Sequence, residues 1–467
     1  MDNTKPQQNE LGVEPIGRLL AKFSVPSMIS LVVNSIYNMV DQIFIGQGVG
    51  FLGNAATNVA FPFVTLSLAI ALLISDGCAS NLSLRLGAGD RHGAEQGFGN
   101  ALVLSTATGV VIPIIGTLFL RPMLLLFGST QAVLPYAIDY TSVMLWGIPF
   151  VSVSIVISSA IRADGNPRYS MVCMLAGAIA NTILDPIFIF VFNWGVKGAA
   201  LATVIGQIIN FLLCIRYIRN FQHFSLTREV MKLRGAVIKT VCLLGISSFI
   251  NQIAIMLVQI VVNNTVTFYG AQSVYGEDIP LTCFGIVMKV NQIIMALIIG
   301  IAGGAQPIIG SNYGAAKFDR VRKTYLLAVT YASVFAVAGF LVFQLSPETI
   351  IAIFGQESEL YQTFAIRCFK TVLLLLFVNG FQMVTAQFFQ AIGKPHKAVA
   401  LSLSRQILFL IPLLIILPRM FGLDGALYAF PCADALAFLL AFTFILFEIR
   451  LLTRRHSEQQ KALGNES

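Results

Sequence analysis

Twelve apolar runs follow one another along the sequence, and short polar segments separate them. A helix needs about 20 apolar residues to cross the hydrocarbon core of a bilayer, and each run is at least that long. We therefore predict an all-α integral membrane protein with twelve membrane-spanning helices. The predicted spans lie at about 19–45, 55–84, 98–120, 135–161, 169–192, 197–219, 237–268, 281–309, 321–345, 361–391, 397–418 and 425–449.

The composition supports this class. Of the 467 residues, 56% are hydrophobic and only 11% are charged, and the mean hydropathy is +0.80. These values exclude a soluble domain. The net charge of +8 does not indicate a nucleic-acid partner, because the basic residues are spread through short segments between apolar runs. The lipid bilayer is the expected partner.

Cysteine and histidine give no sign of a metal or redox centre. The seven Cys lie in or beside apolar runs without a CxxC spacing, and the four His lie in polar segments. Proton chemistry inside the membrane must therefore use carboxylates. We see no nucleophile or metal cluster at membrane depth and no GxxxxGK[ST] loop for ATP. The sequence predicts a protein that is not an enzyme and has no cofactor.

Basic residues lie mainly on one side of the predicted membrane. With the N-terminus inside, 24 Lys and Arg fall in inner segments or inner span ends, and only Arg121, Lys197 and Arg419 fall in outer ones. This asymmetry predicts an inner or plasma membrane protein with both termini in the cytoplasm. The predicted regions are a tail at 1–17, a first lobe of six spans at 18–219, a cytoplasmic linker at 220–236, a second lobe of six spans at 237–452 and a tail at 453–467.

The second half of the chain repeats short motifs of the first at an offset of 227 or 228 residues. An even number of spans per half gives the two lobes parallel topology and pseudo-symmetry about an axis along the membrane normal, with a substrate path between them. Two lobes that enclose one path need no partner subunit, so we expect a monomer. The repeated motifs are Phe127-Gly128 and Phe354-Gly355, Gly87-Ala88 and Gly314-Ala315, Gly195-x-x-Gly198-Ala199 and Gly422-x-x-Gly425-Ala426, and Ala163-x-Gly165-x-Pro167 and Ala391-x-Gly393-x-Pro395.

Asp185 lies inside the fifth span, where an unpaired charge is costly, so it is a candidate functional residue. Pro186 removes a helical hydrogen bond and can kink the helix beside the acid. Asn181 lies one turn earlier on the same face, where it can hydrogen-bond the carboxyl group. The alternative is a buried Asp that caps the turn broken by Pro186.

Three spans place polar residues at a common depth. Counted from the predicted outer ends of spans one, five and six, Asp41, Asp185 and Thr203 lie about 7–12 Å below the outer surface at 1.5 Å per residue. With Asn181, this layer suits a shared proton or a hard cation such as Na⁺ held by Asp41 and Asp185. The alternative is a structural network that seals the first lobe. Further polar residues on the same helix faces, an auxiliary set, are Asn34, Tyr37, Asn38, Gln207 and Asn210.

Other polar residues inside the spans are harder to interpret. We read Asp76, near the inner end of span two, as a helix-packing or gate residue. Lys289 is a cation at membrane depth in span eight, and Asp434 is a possible partner for it. Methionine and amide side chains of the second half can form an adaptable cavity wall, although bundle core or lipid contact is the alternative. The candidates for this wall are Met256, Gln259, Met288, Asn379 and Met383.

Over about residues 15–450 the sequence resembles the multidrug and toxic compound extrusion (MATE) family, and most closely its DinF-like and MepA-like bacterial branch. The resemblance implies a V-shaped pair of six-helix lobes that exports cationic amphipathic compounds in exchange for H⁺ or Na⁺. It also implies that Asp41, Asn181, Asp185 and Thr203 match the cation or proton site of the first lobe. The motifs that carry it are Val40-Asp41-Gln42-Ile43-Phe44-Ile45-Gly46, Leu86-Gly87-Ala88-Gly89-Asp90, Ala163-Asp164-Gly165-Asn166-Pro167, Asn181-Thr182-Ile183-Leu184-Asp185-Pro186 and Gly195-Val196-Lys197-Gly198-Ala199-Ala200-Leu201-Ala202-Thr203.

The chain also departs from its relatives. One branch of the family has acids in the seventh and tenth spans, where this chain has only amides, so a second-lobe cation site of that kind is not expected. Some relatives have Glu one turn before the residue that matches Arg162. This chain has Ser158 there, which we keep as a candidate substrate-cavity residue.

The leading hypothesis is therefore a secondary multidrug antiporter that works by alternating access between its two lobes. A lipid-linked oligosaccharide flippase of the related superfamily is the alternative, and it predicts several Arg or Lys for a diphosphate in the cavity, where Lys289 stands nearly alone. A major-facilitator transporter shares the twelve spans, but Gly89-Asp90-Arg91-His92-Gly93 only faintly resembles its inner-loop motif. A channel would differ from a carrier in lacking saturable counterflow.

Overall fold

The computed structural model describes residues 10–127, 129, 131–222, 224, 226–227, 229–276, 278–354 and 359–464. The first half contains α1 (Ile16–Gly48), α2 (Phe51–Gly87), α3 (Arg91–Leu118), α4 (Leu120–Leu126), α5 (Leu134–Ala163), α6 (Pro167–Pro186) and α7 (Gly195–Tyr217). The second half contains α8 (Gly235–Ala271), α9 (Asp278–Gly314), α10 (Phe318–Leu345), α11 (Pro347–Phe354), α12 (Glu359–Val372), α13 (Leu376–Ala391), α14 (Pro395–Leu403), α15 (Ile411–Phe421) and α16 (Leu423–Gly464). Single π-helical segments, Ile187–Val191 and Ser404–Leu410, lie in the fifth and eleventh spans.

The described part of the chain confirms the predicted helical membrane fold. It has eleven helices that are long and apolar enough to cross a membrane, and α12 with α13 makes a twelfth. This tenth span was predicted as one helix over 361–391, but it is bent by 44° at the break after Val372. The predicted boundaries of the lobes, linker and tails remain predictions.

The sequence repeat corresponds to repeated structure. The short helices α4 and α11 begin 227 residues apart. Phe127 of the repeated Phe-Gly motif directly follows α4, and Phe354 is the last residue of α11, whereas Gly128 and Gly355 lie outside the described residues. Gly165 and Gly393 both turn the chain between spans with positive φ values of 97° and 74°. Because L side chains rarely adopt such φ values, both halves need glycine at this turn.

The two halves pack together at the end of the bundle where α1 begins and α2 and α9 terminate, which we call the basal end. Helix α2 crosses α8 so closely that a Cβ atom on Gly77 would overlap the carbonyl oxygen of Val241. Helix α1 crosses α9 in the same way, because a Cβ atom on Gly304 would overlap the backbone of Ser24. Glycine permits both close backbone approaches. The opposite end, which contains the turn from α1 to α2, is called the distal end.

A short segment before α1 is attached to the second half, and we call residues 10–15 the strap. The guanidinium group of Arg320 donates hydrogen bonds to the carbonyl oxygens of Leu11 and Glu14 at 3.2 and 2.6 Å. Asn312 also donates to the Leu11 carbonyl at 2.9 Å, and the Leu11 side chain is buried in the core of the second half. The first span is therefore anchored to the half that it does not belong to by sequence.

Candidate functional site

Asp41 and Asp185 meet near the distal end of the first half. Helix α1 carries Asp41, α6 carries Asp185, and the two carboxyl groups lie close enough to interact electrostatically. Both are buried, with exposed fractions of 7% and 0%. Pro186 follows Asp185 directly, and the helix continues as the π-helical segment Ile187–Val191, so the regular hydrogen-bond ladder ends beside the acid.

Asn181 connects this pair to the sixth span. Its Nδ2 atom lies 3.3 Å from Oδ1 of Asp185 and 3.1 Å from Oγ1 of Thr203, and it donates to both. The structure therefore brings together the four residues that the depth argument had placed in one layer. We call Asp41, Asn181, Asp185 and Thr203 the polar layer.

Three buried oxygens of the polar layer have no hydrogen-bond partner: Oδ1 of Asp41, Oδ2 of Asp185 and Oδ1 of Asn181. Unsatisfied buried acceptors are costly, and two adjacent carboxylates would also repel each other. A proton shared between the acids removes the repulsion, and a hard cation would be suited to the same oxygens.

Two tyrosines face the acids. Tyr37, one turn before Asp41 on α1, interacts electrostatically with both carboxyl groups, and so does the buried Tyr140 of α5. Tyr37 was in the predicted auxiliary set, whereas Tyr140 was missed. Tyr140 lies six residues inside the start of α5 at Leu134, so the depth count that found Asp41 would also have found it.

The other auxiliary residues make separate contacts. Asn38 is exposed and donates to the carbonyl oxygen of Asn34 at 2.7 Å. Gln207 packs on Gly147 of α5, and its Oε1 atom has no hydrogen-bond partner. Asn210 accepts a weak bond from Cys214 at 3.5 Å.

The second half has a buried ion pair instead of two acids. Arg405 donates to Asp434 at 2.7 Å, and the exposed fractions of their side chains are 23% and 4%. Asn379 is buried beside Asp434, which places this cavity candidate inside the bundle. The proposed partnership of Lys289 with Asp434 is wrong, because Arg405 neutralises the acid and Lys289 is exposed.

The remaining cavity candidates are dispersed. Ser158 accepts a hydrogen bond from Ser170 at 3.3 Å within the first half. Gln259 donates to Asn263 at 2.9 Å along α8, and Met256 is half-buried on the same helix. Met288 and Met383 pack at the edges of apolar clusters in the second half. An apolar cavity of about 560 Å³ lies elsewhere, between α3, α5 and α7.

The long apolar helices of the described residues define a multi-pass membrane protein. A family model described as MatE matches residues 26–187 and 248–416, one segment in each half of the chain. The chain belongs to the MatE family.

Known proteins of this kind resemble the chain over nearly its whole length. It is 27% identical to the multidrug export protein MepA of Staphylococcus haemolyticus over 93% of this chain and 94% of that protein. It is 26% identical to the protein of the same name from Staphylococcus aureus strain MSSA476, over 92% and 94% of the two chains.

Solved structures share the fold. An outward-facing multidrug resistance MATE family transporter of the MOP superfamily superposes with a TM-score of 0.89 at 23% identity, over 97% of this chain and 100% of that one. A MOP superfamily transporter from Pyrococcus furiosus, described as having a binding pocket of reverse polarity, gives a TM-score of 0.88 at 23% identity over 95% and 98%.

Proposed function

We propose that this protein is a secondary active multidrug antiporter that exports small cationic amphipathic compounds in exchange for H⁺ or Na⁺. The MatE family match and the relatives named multidrug export protein support the export of drugs. The contact between Asp41 and Asp185, with unpaired buried oxygens on both acids, carries the proposal of ion coupling.

The polar layer couples ion entry to a movement of α1. With neither proton nor cation bound, the two carboxylates repel each other and favour separation of α1 from α6. A bound H⁺ or Na⁺ removes that repulsion and draws the helices together. Because the strap fixes the other end of α1 to the second half, a change at Asp41 is transmitted to the packing between the lobes.

The predicted orientation places the basal end in the cytoplasm of a bacterial cell and the polar layer near the outer surface of the plasma membrane. The first lobe at 18–219 and the second at 237–452 would then move against each other. The path between them would be open to the outside when the basal end is closed. A single chain contains both lobes, so a monomer suffices. No cofactor beyond the coupling ion is needed.

Efflux of a fluorescent lipophilic cation from cells that lack their own pumps tests this function. Wild type and Asp185→Asn would be compared at matched membrane expression, with Asp139→Asn as a control. Asp139 is a half-exposed acid of α5 that pairs with Lys197 at 3.0 Å, outside the polar layer. We expect wild type and Asp139→Asn to export the dye and Asp185→Asn to fail.

The alternatives give other results. Equal export by wild type and Asp185→Asn would make the polar layer structural. If substrate counterflow in proteoliposomes is the same with and without pH and Na⁺ gradients, transport is not coupled to either ion. If wild type does not move the dye, a lipid-linked oligosaccharide becomes the substrate to test, and the flippase alternative gains support.

A further inference from the structure

Asp76 is a membrane-embedded acid that the polar layer does not use. It lies on α2 in the basal half of the bundle, and its Oδ2 atom accepts a hydrogen bond of 2.6 Å from the hydroxyl of Ser248 on α8. Gln390 of α13 donates to the same Ser248 oxygen at 3.2 Å. Arg162 of α5 faces the carboxylate from the first half. An acid of one half is thus bound directly by a hydroxyl group of the other half.

The bond lies where the two halves approach most closely. Gly77, next to Asp76, packs on the carbonyl oxygen of Val241, and Gly245, one turn before Ser248, packs on the carbonyl oxygen of Leu73. The two backbones therefore interlock around the bond with no side chain between them. Such packing leaves little room for water, so the bond to the carboxylate is well protected.

The pseudo-symmetric crossing of α1 and α9 lacks this bond. The offset of 227 residues places Gly303 at the position equivalent to Asp76, and Gly304 at the position equivalent to Gly77. Gly303 has no side chain to accept a bond, and the polar contact there is a 3.4 Å bond from Ser24 to the carbonyl oxygen of Ile301. Both crossings bring two backbones into close contact, but only the one at Asp76 has a carboxyl group as acceptor.

We propose that Asp76 and Ser248 form a latch that holds the two halves together at the basal end, and that transport breaks this bond whenever the halves separate there. Separation of α2 from α8 removes the Ser248 donor and exposes the carboxylate. Arg162 stays in the same half as Asp76, so it remains beside the carboxyl group when the latch opens. Gln390 keeps the Ser248 hydroxyl oriented for the bond to form again.

This inference rests on the proposed movement of the lobes, and a distance measurement tests it without substrate or coupling ion. Spin labels would be placed at Ala88 and Ala315, two exposed positions of the basal end in equivalent places of the two halves. The half-exposed Cys242 and the exposed Cys432 would first be replaced by Ser, since the other five Cys are buried. Ala88 lies against Gly314 in the closed structure, so dipolar broadening of the electron resonance spectrum, which reports short label separations, gives the populations of the closed and open basal ends.

Ser248→Ala is the central variant, and Thr240→Ala is its control. Thr240 is on the same helix, but its hydroxyl donates to the carbonyl oxygen of Ala236 on its own helix at 2.9 Å. Because a buried hydrogen bond to a carboxyl oxygen is lost, we expect the open population to rise about tenfold in Ser248→Ala and to stay unchanged in Thr240→Ala. Asp76→Asn keeps an acceptor oxygen and should remain mostly closed, whereas Asp76→Ala should open as Ser248→Ala does.

Three results would overturn the latch: a wild-type protein that is already open at the basal end, an unchanged distance in Ser248→Ala, or equal opening in Thr240→Ala. Adding Ser248→Ala to Asp76→Ala should change nothing further, and an additive effect would show that the two residues act separately. If the distances shift as expected while the dye is not exported, the proposed substrate is wrong and the latch stands.

Discussion

Gly87 and Gly314 occupy equivalent positions of the two halves, and each one packs against the backbone of the other half at the basal end. A Cβ atom on Gly87 would overlap the carbonyl oxygen of Ser311, and one on Gly314 would overlap the carbonyl oxygen of Leu84. Ser311 and Leu84 are themselves 227 residues apart, so the two contacts are related by the pseudo-symmetry of the halves. The repeated Gly-Ala motif therefore marks the point where the two halves meet.

Alanine at the lobe interface should be costly. Gly304→Ala places a methyl group against the backbone of Ser24, and overpacking of this kind costs about 1–3 kcal/mol. Gly303→Ala, at the neighbouring residue, meets open space and should be neutral or slightly stabilising, because alanine favours a helix. Thermal unfolding of the two purified variants in the same detergent measures the difference. Equal melting temperatures would contradict the close packing of α1 on α9.

Removal of the Tyr140 hydroxyl should impair transport. Tyr140 faces Asp41 and Asp185, and loss of a polar group beside buried acids typically costs enough to weaken ion binding roughly tenfold. The initial rate of dye export in Tyr140→Phe, compared with wild type, measures the effect. Tyr136→Phe changes the same helix one turn nearer the distal end, and it should export normally. A normal export rate in Tyr140→Phe would show that transport does not need the Tyr140 hydroxyl group.

The buried ion pair of the second half should be sensitive to loss of one partner. Arg405→Met leaves Asp434 buried without its cation, and this should lower the free energy of unfolding by about 3–5 kcal/mol. The double variant Arg405→Met with Asp434→Leu removes both charges and should recover most of that loss. Denaturation of the single and double variants in detergent gives the comparison. A double variant no more stable than Arg405→Met would show that the pair contributes through more than its charges.

The strap should be released when Arg320 is replaced. Arg320→Ala removes the donor to the carbonyl oxygens of Leu11 and Glu14, so a spin label at the exposed Val13 should become more mobile. Arg322→Ala changes an exposed arginine two residues further along α10, and it should leave the label unaffected. If the label spectrum is the same in all three proteins, Asn312 and the buried Leu11 side chain hold the segment without Arg320.

The sequence predicted the features that depend on local pattern and depth. The twelve spans follow from runs of apolar residues, and the meeting of Asp41 with Asp185 follows from counting turns along helices of known rise. Pairings between helices that are distant in the chain were not predictable in this way. Ser248 lies 172 residues from Asp76, and no periodicity of either helix indicates that they touch. The sequence analysis counted Arg405 as a basic residue of the inner span ends. Its pairing with Asp434 was not predictable, because it depends on how α16 packs beside the eleventh span.

The attachment of α1 to both halves makes that helix a lever arm. Its near end is fixed to the second half through the carbonyl oxygen of Glu14, and Asp41 lies about 40 Å further along at 1.5 Å per residue. A tilt of about 5° at the near end would displace Asp41 by about 3.5 Å, enough to part its carboxyl group from that of Asp185. A slight rotation of this kind between the halves would therefore make or break the acid pair without a large rearrangement inside the first half.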